Sequence, residues 1–277
     1  MAMKGTLYIV ATPIGNLEDI TRRALRVLKE ADVIAAEDTR HSLKLLSHYG
    51  ISRPMISYWG EREKAKSEEV LTHLRDGRSV ALISDSGTPG ISDPGAVVIK
   101  KAIEEGFPVL PVPGPSAVIA ALSVSGLPTG EFTFIGFLPP KPGQRQKALK
   151  ELSLEGRTLV FYEAPHRLME TMNDIEEMFG DRPACVIKEI TKLHEEALRG
   201  TVLGIISGLE GSTIAGEYVI IIGGRKKEAV SFEEAIEEVK LLIKRGKGRK
   251  EAVKMVAEQY GIGKSELYDL SLGKGEK

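Results

Sequence analysis

Short apolar runs alternate along the chain with longer segments in which apolar residues recur at helical spacing. In the first half, the runs at residues 7–11, 33–36, 80–84 and 109–112 are typical of buried β-strands. Between the first two runs, residues 20–31 place their apolar side chains on one face of a helix. Alternating strands and helices predict an α/β protein with mostly parallel sheets.

The second half of the chain continues this alternation. Strands are predicted at residues 132–137, 158–162, 184–190 and 218–222, and helices at 144–152, 165–179 and 202–209. No sequence repeat of 20–50 residues is present. The chain up to about residue 224 therefore has one continuous α/β character.

The pattern changes at about Arg225, after which no β-rich run occurs. Residues 225–277 carry 13 lysines or arginines and 10 acidic residues, which gives a local net charge of +3. Three short helices are predicted around a basic turn at 244–250, and Ser231 with Glu234 forms a capping box for the first of them. This pattern suggests a small helix-turn-helix-like module, although composition alone favours a solvated helical tail over a module that binds nucleic acid.

Composition limits the functional classes that remain. The 277 residues are 42% hydrophobic and 28% charged, as in ordinary globular proteins. A net charge of −1 excludes a uniformly basic nucleic-acid coat but leaves room for a local basic patch. With Cys185 as the only cysteine and no metal-type pair among five histidines, we expect neither a disulfide nor a metal site. Without a secretory or membrane-spanning apolar run, we expect a soluble cytoplasmic protein.

Three turns rich in glycine and proline follow predicted strands, at residues 12–16, 85–90 and 113–116. Ligands of parallel sheets bind outside the carboxyl ends of the strands, where such turns allow close approach of the backbone. None of the turns matches a dinucleotide fingerprint or a P-loop. Each turn alone is more often a simple connection, but three together favour a site for a neutral or zwitterionic ligand.

Polar residues cluster at the ends of other predicted strands. The densest group follows the second strand and comprises Glu37, Asp38, Arg40 and His41. It suits substrate binding or general base catalysis, and the alternative is an exposed loop in which Asp38 or Thr39 caps the next helix. Similar groups lie at residues 162–167 and 189–192, and a Gly-Glu pair precedes the last strand.

Seven motifs resemble, in order, those of the ribosomal RNA small-subunit methyltransferase I family. They are LYIVATPIGNL at 7–17, AEDTRH at 36–41, SDSGTP at 84–89, PGPSA at 113–117, FYEAPHR at 161–167, EITK at 189–192 and GE at 216–217. A single motif would be weak evidence, whereas seven in order are highly specific. The resemblance covers residues 5–224, and the basic tail is similar to the C-terminal helical domain of many members.

The resemblance implies a fold, a cofactor and an activity. The family belongs to the class III, tetrapyrrole-methylase-like methyltransferases. Each chain of these proteins has two α/β domains, which hold S-adenosyl-L-methionine in the cleft between them. The proteins are usually homodimers. We accordingly expect domains at residues 1–113 and 114–225 and a helical module at 226–277. The implied reaction is 2′-O-methylation of a cytidine in the decoding centre of 16S ribosomal RNA, in the small ribosomal subunit.

The resemblance also assigns a cofactor site. Its turn residues would line the cofactor or contact the methionine part, and they are Pro13, Ile14, Gly15, Asp85, Ser86 and Gly87. Others would enclose the adenosine, namely Ser116, Ala117, Tyr162, Glu163, Gly216 and Glu217. The chain departs from the family at Ser86, where alanine is common, and at Lys188, where arginine is more usual and could make a bidentate phosphate contact.

Methyl transfer from a sulfonium needs no metal, but a base near the ribose hydroxyl should help. The candidates for this base are Glu37, Asp38, His41, Glu163 and His166, and the first cluster is favoured. The expected contacts to ribose and phosphate are Arg40, Arg167 and Lys192, with Lys247, Arg249 and Lys250 in the tail.

Two other functions remain open from the sequence. A class III methylase acting on a small molecule such as a tetrapyrrole would need a roomier, more apolar cleft and no basic tail. A non-catalytic RNA-binding module would bind no methyl donor, and it would tolerate substitution of Asp85 without loss of function.

Overall fold

The computed structural model describes residues 5–58, 63–225, 232–260 and 263–271. The chain divides into two compact units, Met1–Gly223 and Gly224–Lys277. The described residues of the first unit form two five-stranded sheets with helices packed on both faces.

The first sheet is parallel throughout and has the strand order β3-β2-β4-β1-β5. Its strands are β1 (Leu7–Val10), β2 (Val33–Ala36), β3 (Met55–Ser57), β4 (Val80–Ile83) and β5 (Val109–Val112). Its helices are α1 (Arg22–Glu30), α2 (Thr39–His48), α3 (Glu63–Arg75) and α4 (Ala96–Glu104). Every residue of β2 and β4 is buried, because helices cover both faces of the sheet.

Alternate residues of β4 serve the two layers of this unit. Ala81 and Ile83 pack with α1 and α2, whereas Val80 and Leu82 pack with α3 and α4. Because all five strands of this sheet are parallel, their carboxyl ends lie at the same edge of the sheet, together with the loops that follow β1, β2 and β4.

The second sheet has the order β6-β7-β10-β8-β9. Its strands are β6 (Phe132–Phe137), β7 (Thr158–Glu163), β8 (Pro183–Lys188), β9 (Glu196–Thr201) and β10 (Tyr218–Ile222). One side carries α5 (Ala117–Ser125), and the other carries α6 (Pro142–Leu152), α7 (Leu168–Phe179) and α8 (Val202–Leu209).

The expectation of mostly parallel strands is wrong for this second sheet. Among its described strands the pair β6–β7 is parallel, while β7–β10, β10–β8 and β8–β9 are antiparallel. Seven residues join β8 to β9, which is too short for the crossover that a parallel neighbour requires. The strands β3 and β9 and the helix α3 were not predicted from the sequence.

The described part of the second unit consists of three helices, as the sequence predicts. They are α9 (Phe232–Lys244), α10 (Arg249–Tyr260) and α11 (Lys264–Ser271). Their buried side chains form a separate small core that includes Val239, Val253, Val256 and Leu267. Ser231 of the predicted capping box lies outside the described residues. In the described parts of both units, no helix combines the length and the apolarity needed to cross a bilayer.

Candidate active site

The turns after β1 and β4 are joined directly by backbone hydrogen bonds. The Thr12 amide donates to the Gly87 carbonyl at 2.9 Å, and the Gly87 amide donates back to Thr12 at 3.1 Å. The buried Thr12 hydroxyl adds a bond to the Ser84 carbonyl at 3.2 Å. Gly87 has φ of 77°, a conformation that favours glycine. The bridge brings two of the predicted ligand-binding turns together.

A first cavity of about 450 Å³ lies between these turns and the second sheet. It is lined by eight of the residues predicted to hold the cofactor, namely Ile14, Ser86, Gly87, Ser116, Ala117, Tyr162, Glu163 and Glu217. Its other walls are Thr88, Ile91, Ser92, Asp93, Phe137, Ala164, Pro165, Ile190, Tyr218 and Val219. The cavity thus combines an apolar wall with a few polar groups, as small-molecule sites usually do.

A second cavity of about 600 Å³ adjoins the first. It contains the remaining predicted turn residues Pro13, Gly15 and Asp85, together with Leu17, His41, Lys44, Leu45, His48 and Lys192. Ile14, Ser86 and Glu217 line both cavities and form the partition between them. Gly216, which was also predicted to enclose the adenosine, is not among the described residues that line either cavity.

Tyr162 is held in place by aromatic neighbours in the first cavity. Its ring meets Phe134 edge-on at 5.0 Å and Phe137 at 5.5 Å between centroids. Burial raises the pKa of Tyr162 to about 12, although a backbone hydrogen bond from Val118 opposes the shift. The phenol is therefore neutral at physiological pH.

Three carboxyl groups lie near one another, two of them in the cavity walls, Asp93 in the first and Asp85 in the second. The Asp85 amide donates to Glu37 at 3.3 Å, and Asp85 accepts from the Asp38 amide at 3.1 Å. The pKa of Asp93 is raised to about 6, chiefly by burial and also by the charges of Glu37 and Asp85, while a hydrogen bond with Ser84 opposes the shift. Burial likewise raises the pKa of Glu37. We name Glu37, Asp85 and Asp93 the acidic cluster.

Asp93 was not singled out from the sequence. The available signal was a second aspartate, followed by proline and glycine, eight residues beyond Asp85 in the same loop. Ser92 beside it has φ of 64°, which is unusual for a residue other than glycine and turns the loop at this point.

The helix-capping alternative is confirmed for Asp38. Its carboxylate caps α2 by accepting from the Arg40 amide at 2.8 Å. This backbone bond is the largest of the contacts that lower the pKa of Asp38, so its carboxylate is a poor proton acceptor. Arg40 and His41 on the same helix are exposed, and His41 faces the second cavity.

The structure argues against the predicted roles of Glu163 and Arg167. The Glu163 side chain is fully buried and its oxygens accept from Ala164 at 2.7 Å, from Arg167 at 2.6 Å and from Thr171 at 2.6 Å. Arg167 is 14% exposed and also donates to the Leu138 carbonyl. Because each side chain satisfies the other inside the protein, Glu163 is unsuited as a base and Arg167 cannot reach RNA phosphates.

Lys192 is tied into the loop that follows β8. Its ammonium contacts Glu189 at 2.8 Å and Glu217 at 3.1 Å, so its charge is largely neutralised by these neighbours. A Cβ on Gly216 would lie 2.5 Å from Glu189, and one on Gly15 would lie 2.4 Å from Lys192. The two glycines therefore allow this loop to pack against the β1 turn.

The basic residues predicted for RNA lie at the start of α10 in the second unit. Lys247 forms an ion pair with Glu251 at 2.7 Å, and Arg249 is half-buried. Lys250 is exposed and lines a cavity of about 480 Å³ with Lys264. Across the described chain, no group of three or more His, Cys, Asp or Glu side chains is arranged to hold a metal ion.

The chain is similar to known proteins over most of its length. The family model of the Tetrapyrrole (Corrin/Porphyrin) Methylases matches residues 6–205. A protein of Halalkalibacterium halodurans named ribosomal RNA small subunit methyltransferase I is 45% identical over 273 residues, with 96% of this chain and 94% of that protein aligned. A Bacillus subtilis protein of the same name is 41% identical, with 96% and 93% covered.

Solved structures share the fold at lower identity. Uroporphyrin-III C-methyl transferase from Thermus thermophilus, complexed with S-adenyl homocysteine, is 21% identical with a TM-score of 0.56 over 78% of this chain and 97% of that one. A cobalt precorrin-4 methyltransferase is 21% identical with a TM-score of 0.57 over 79% and 94%. These likenesses confirm the expected tetrapyrrole-methylase-like α/β fold.

Proposed function

Because the chain belongs to the tetrapyrrole methylases and, within them, to the ribosomal RNA small subunit methyltransferase I family, we propose that it methylates 16S ribosomal RNA. The methyl donor is S-adenosylmethionine, and the acceptor is the 2′-hydroxyl of a cytidine in the decoding centre. The observation that carries this proposal is the first cavity, where Ile14 of the first motif and Glu217 of the last, 203 residues apart in the sequence, line one cavity.

The first cavity fits the chemistry of the proposed cofactor. Phe137 and Val219 offer apolar surface to a purine ring, and Ser116 with the amino end of α5 offers polar groups. Asp93 has no ion-pair partner among the described residues and supplies negative charge to a cationic ligand. When bound, S-adenosylmethionine supplies a methyl on a sulfonium, whose bond to sulfur breaks as the ribose oxygen bonds to that carbon.

His41 is the residue we assign to accept the hydroxyl proton. Of the five candidates for the base, Glu163 is fully paired, Asp38 caps a helix, and Glu37 and His166 line neither cavity. His41 faces the second cavity, and an imidazole accepts protons near neutral pH. Ser86 lies in the partition between the second cavity and the first, which we call the donor cavity because it is the proposed site of the methyl donor. A ribose hydroxyl held at this partition would lie between His41 and the methyl donor.

Substrate affinity outside the site is proposed to come from basic side chains. Arg40 is 91% exposed at the start of α2, and Lys250 is exposed at the start of α10. Such contacts bind phosphates without reading sequence. A ribosomal RNA substrate implies a cytoplasmic location, and the family resemblance implies a homodimer, which light scattering of the purified protein would test.

The experiment incubates the protein with tritiated S-adenosylmethionine and small ribosomal subunits that lack the modification. Label on the 2′-oxygen of a decoding-centre cytidine is the expected result. Transfer to a tetrapyrrole instead of RNA, or cofactor binding without transfer, would refute the proposal.

A matched pair of variants tests the assigned base. His41→Ala should lower kcat by about 10²–10⁴-fold, the usual contribution of a general base, with cofactor affinity unchanged. His166→Ala should leave kcat unchanged, because His166 is exposed and lines neither cavity.

A further inference from the structure

The second cavity has one wall made by a single face of α2. His41, Lys44 and His48 all line it, and their spacing of three and then four residues places them on the same side of the helix. Residues 39–48 contain no acidic side chain. This face, which we call the α2 basic face, therefore presents two imidazoles and an ammonium to the cavity.

Lys44 differs from the other lysine of the cavity in its availability. Within the described residues Lys44 is exposed and forms no ion pair, whereas Lys192 on the opposite wall is held by Glu189 and Glu217. The two carboxylates that line the cavity, Asp85 and Glu217, lie outside α2. The cavity is thus polarised, with its available positive charge on α2.

Size and position relate this cavity to the donor cavity. About 600 Å³ lies within the range of about 300–1,000 Å³ that small-molecule sites occupy. The partition formed by Ile14, Ser86 and Glu217 is shared, so a group held in the second cavity lies beside a ligand in the first. Methyl transfer requires this adjacency, since the acceptor oxygen must reach the methyl carbon directly.

We propose that the second cavity receives the target nucleotide of the RNA and that Lys44 and His48 bind the phosphates flanking its ribose. The inference rests on the proposed function and adds the place and the phosphate contacts of the acceptor. Lys44 supplies a permanent positive charge, and His48, one helical turn further along, supplies a ring nitrogen as hydrogen-bond donor.

The test compares Lys44→Ala, His48→Ala and Lys44→Arg with a control, Lys150→Ala, which removes an exposed lysine from α6 of the same unit. Methyl transfer to unmodified small subunits gives KM and kcat, and calorimetry with S-adenosylhomocysteine shows whether the donor cavity is intact. RNA affinity is measured from 50 to 300 mM salt for each variant.

Lys44→Ala should raise the KM for RNA about tenfold, as expected for loss of one charge-assisted hydrogen bond. It should also reduce the slope of log affinity against log salt by about 0.7, the value for one phosphate contact on a single strand. His48→Ala should raise KM in the same sense, Lys44→Arg should restore it, and all variants should bind S-adenosylhomocysteine within twofold of the original chain.

Two results would overturn the inference while leaving the proposed function standing. The first is active transfer in which Lys44→Ala behaves as Lys150→Ala does. The second is a Lys44→Ala defect that appears equally in S-adenosylhomocysteine binding, since the residue would then act on the donor cavity. If the original chain transfers no methyl to RNA, the proposed function fails and this inference fails with it.

Discussion

Asp93→Asn should stabilise the protein and impair its site. The Asp93 carboxyl is half-buried beside Glu37 and Asp85, and no described cation neutralises it. Asparagine keeps the shape and removes the charge, so the folded protein loses an unfavourable interaction within the acidic cluster.

The size of the effect follows from the pKa of Asp93, which burial raises from 3.8 to about 6. A shift of roughly two units corresponds to about 3 kcal/mol between the two protonation states. Partial exposure to solvent screens this interaction, and we therefore expect about 1.5 kcal/mol at pH 7. The folded protein holds the proton more tightly than the unfolded chain, so its stability falls as pH rises from about 4 to 6 and is then constant.

Urea denaturation of the unliganded protein at a series of pH values measures this difference. The advantage of Asp93→Asn should be about 1.5 kcal/mol above pH 6 and should largely disappear near pH 3, where the carboxyl is mostly protonated in both states. Asp19→Asn is the matched control, because Asp19 is exposed and its replacement should change stability by less than about 0.5 kcal/mol at any pH.

A second measurement separates a functional charge from an incidental one. S-adenosylmethionine should bind Asp93→Asn about tenfold more weakly, as expected for one lost charged contact. If Asp93→Asn is no more stable than the original chain at pH 7, the acidic cluster does not carry the repulsion described. If stability rises and cofactor affinity is unchanged, Asp93 does not face the cationic part of the ligand.

Three further predictions concern packing and charge. Gly15→Ala should destabilise the protein by about 1–3 kcal/mol and reduce methyl transfer, because the new Cβ would lie 2.4 Å from Lys192. Urea denaturation measures the stability and the transfer assay measures the activity, and unchanged values would contradict the close packing. Glu163→Gln should lower the free energy of unfolding by about 3 kcal/mol, because it leaves the charge of the buried Arg167 unpaired. Adding Arg167→Met should recover part of this loss in thermal melts, whereas additive losses from the two substitutions would disprove the pairing. Lys250→Ala should lower RNA affinity at every sequence tested and reduce the salt slope by about 0.7–0.9, whereas a sequence-selective loss would show that this side chain reads bases.

The ends of the strands show how far local patterning reaches. Residues 7–11 and 80–84 were predicted as strands followed by ligand-binding turns, and the structure has strands Leu7–Val10 and Val80–Ile83 with those turns against each other. Apolar runs and Gly-Pro turns specify such features within about ten residues. By contrast, β3 has only three residues and β9 is largely exposed, so neither carries an apolar pattern that sequence analysis can detect.

The roles of individual polar residues are harder to predict from the sequence. Glu163 ends one buried strand and Asp38 follows another, yet the first is paired with Arg167 inside the protein and the second caps α2. Asp93 lies in a loop like many others, and its pKa is raised chiefly by burial and then by the charge of Glu37, which is 56 residues away in the chain. Burial and neighbouring charge decide these properties, and both depend on contacts between distant segments.

The sequence by itself determined the alternation of strands and helices, the glycine and proline turns, the basic tail and the family, because each of these is written in local spacing or in ordered motifs. Only the tertiary structure decided that β10 enters the second sheet antiparallel between β7 and β8, since strand pairing depends on long-range hydrogen bonds. It also decided that Ile14, Ser86 and Glu217 divide the cleft into two cavities. Side chains from both sheets must pack together before that division exists, and no local pattern in the chain records it.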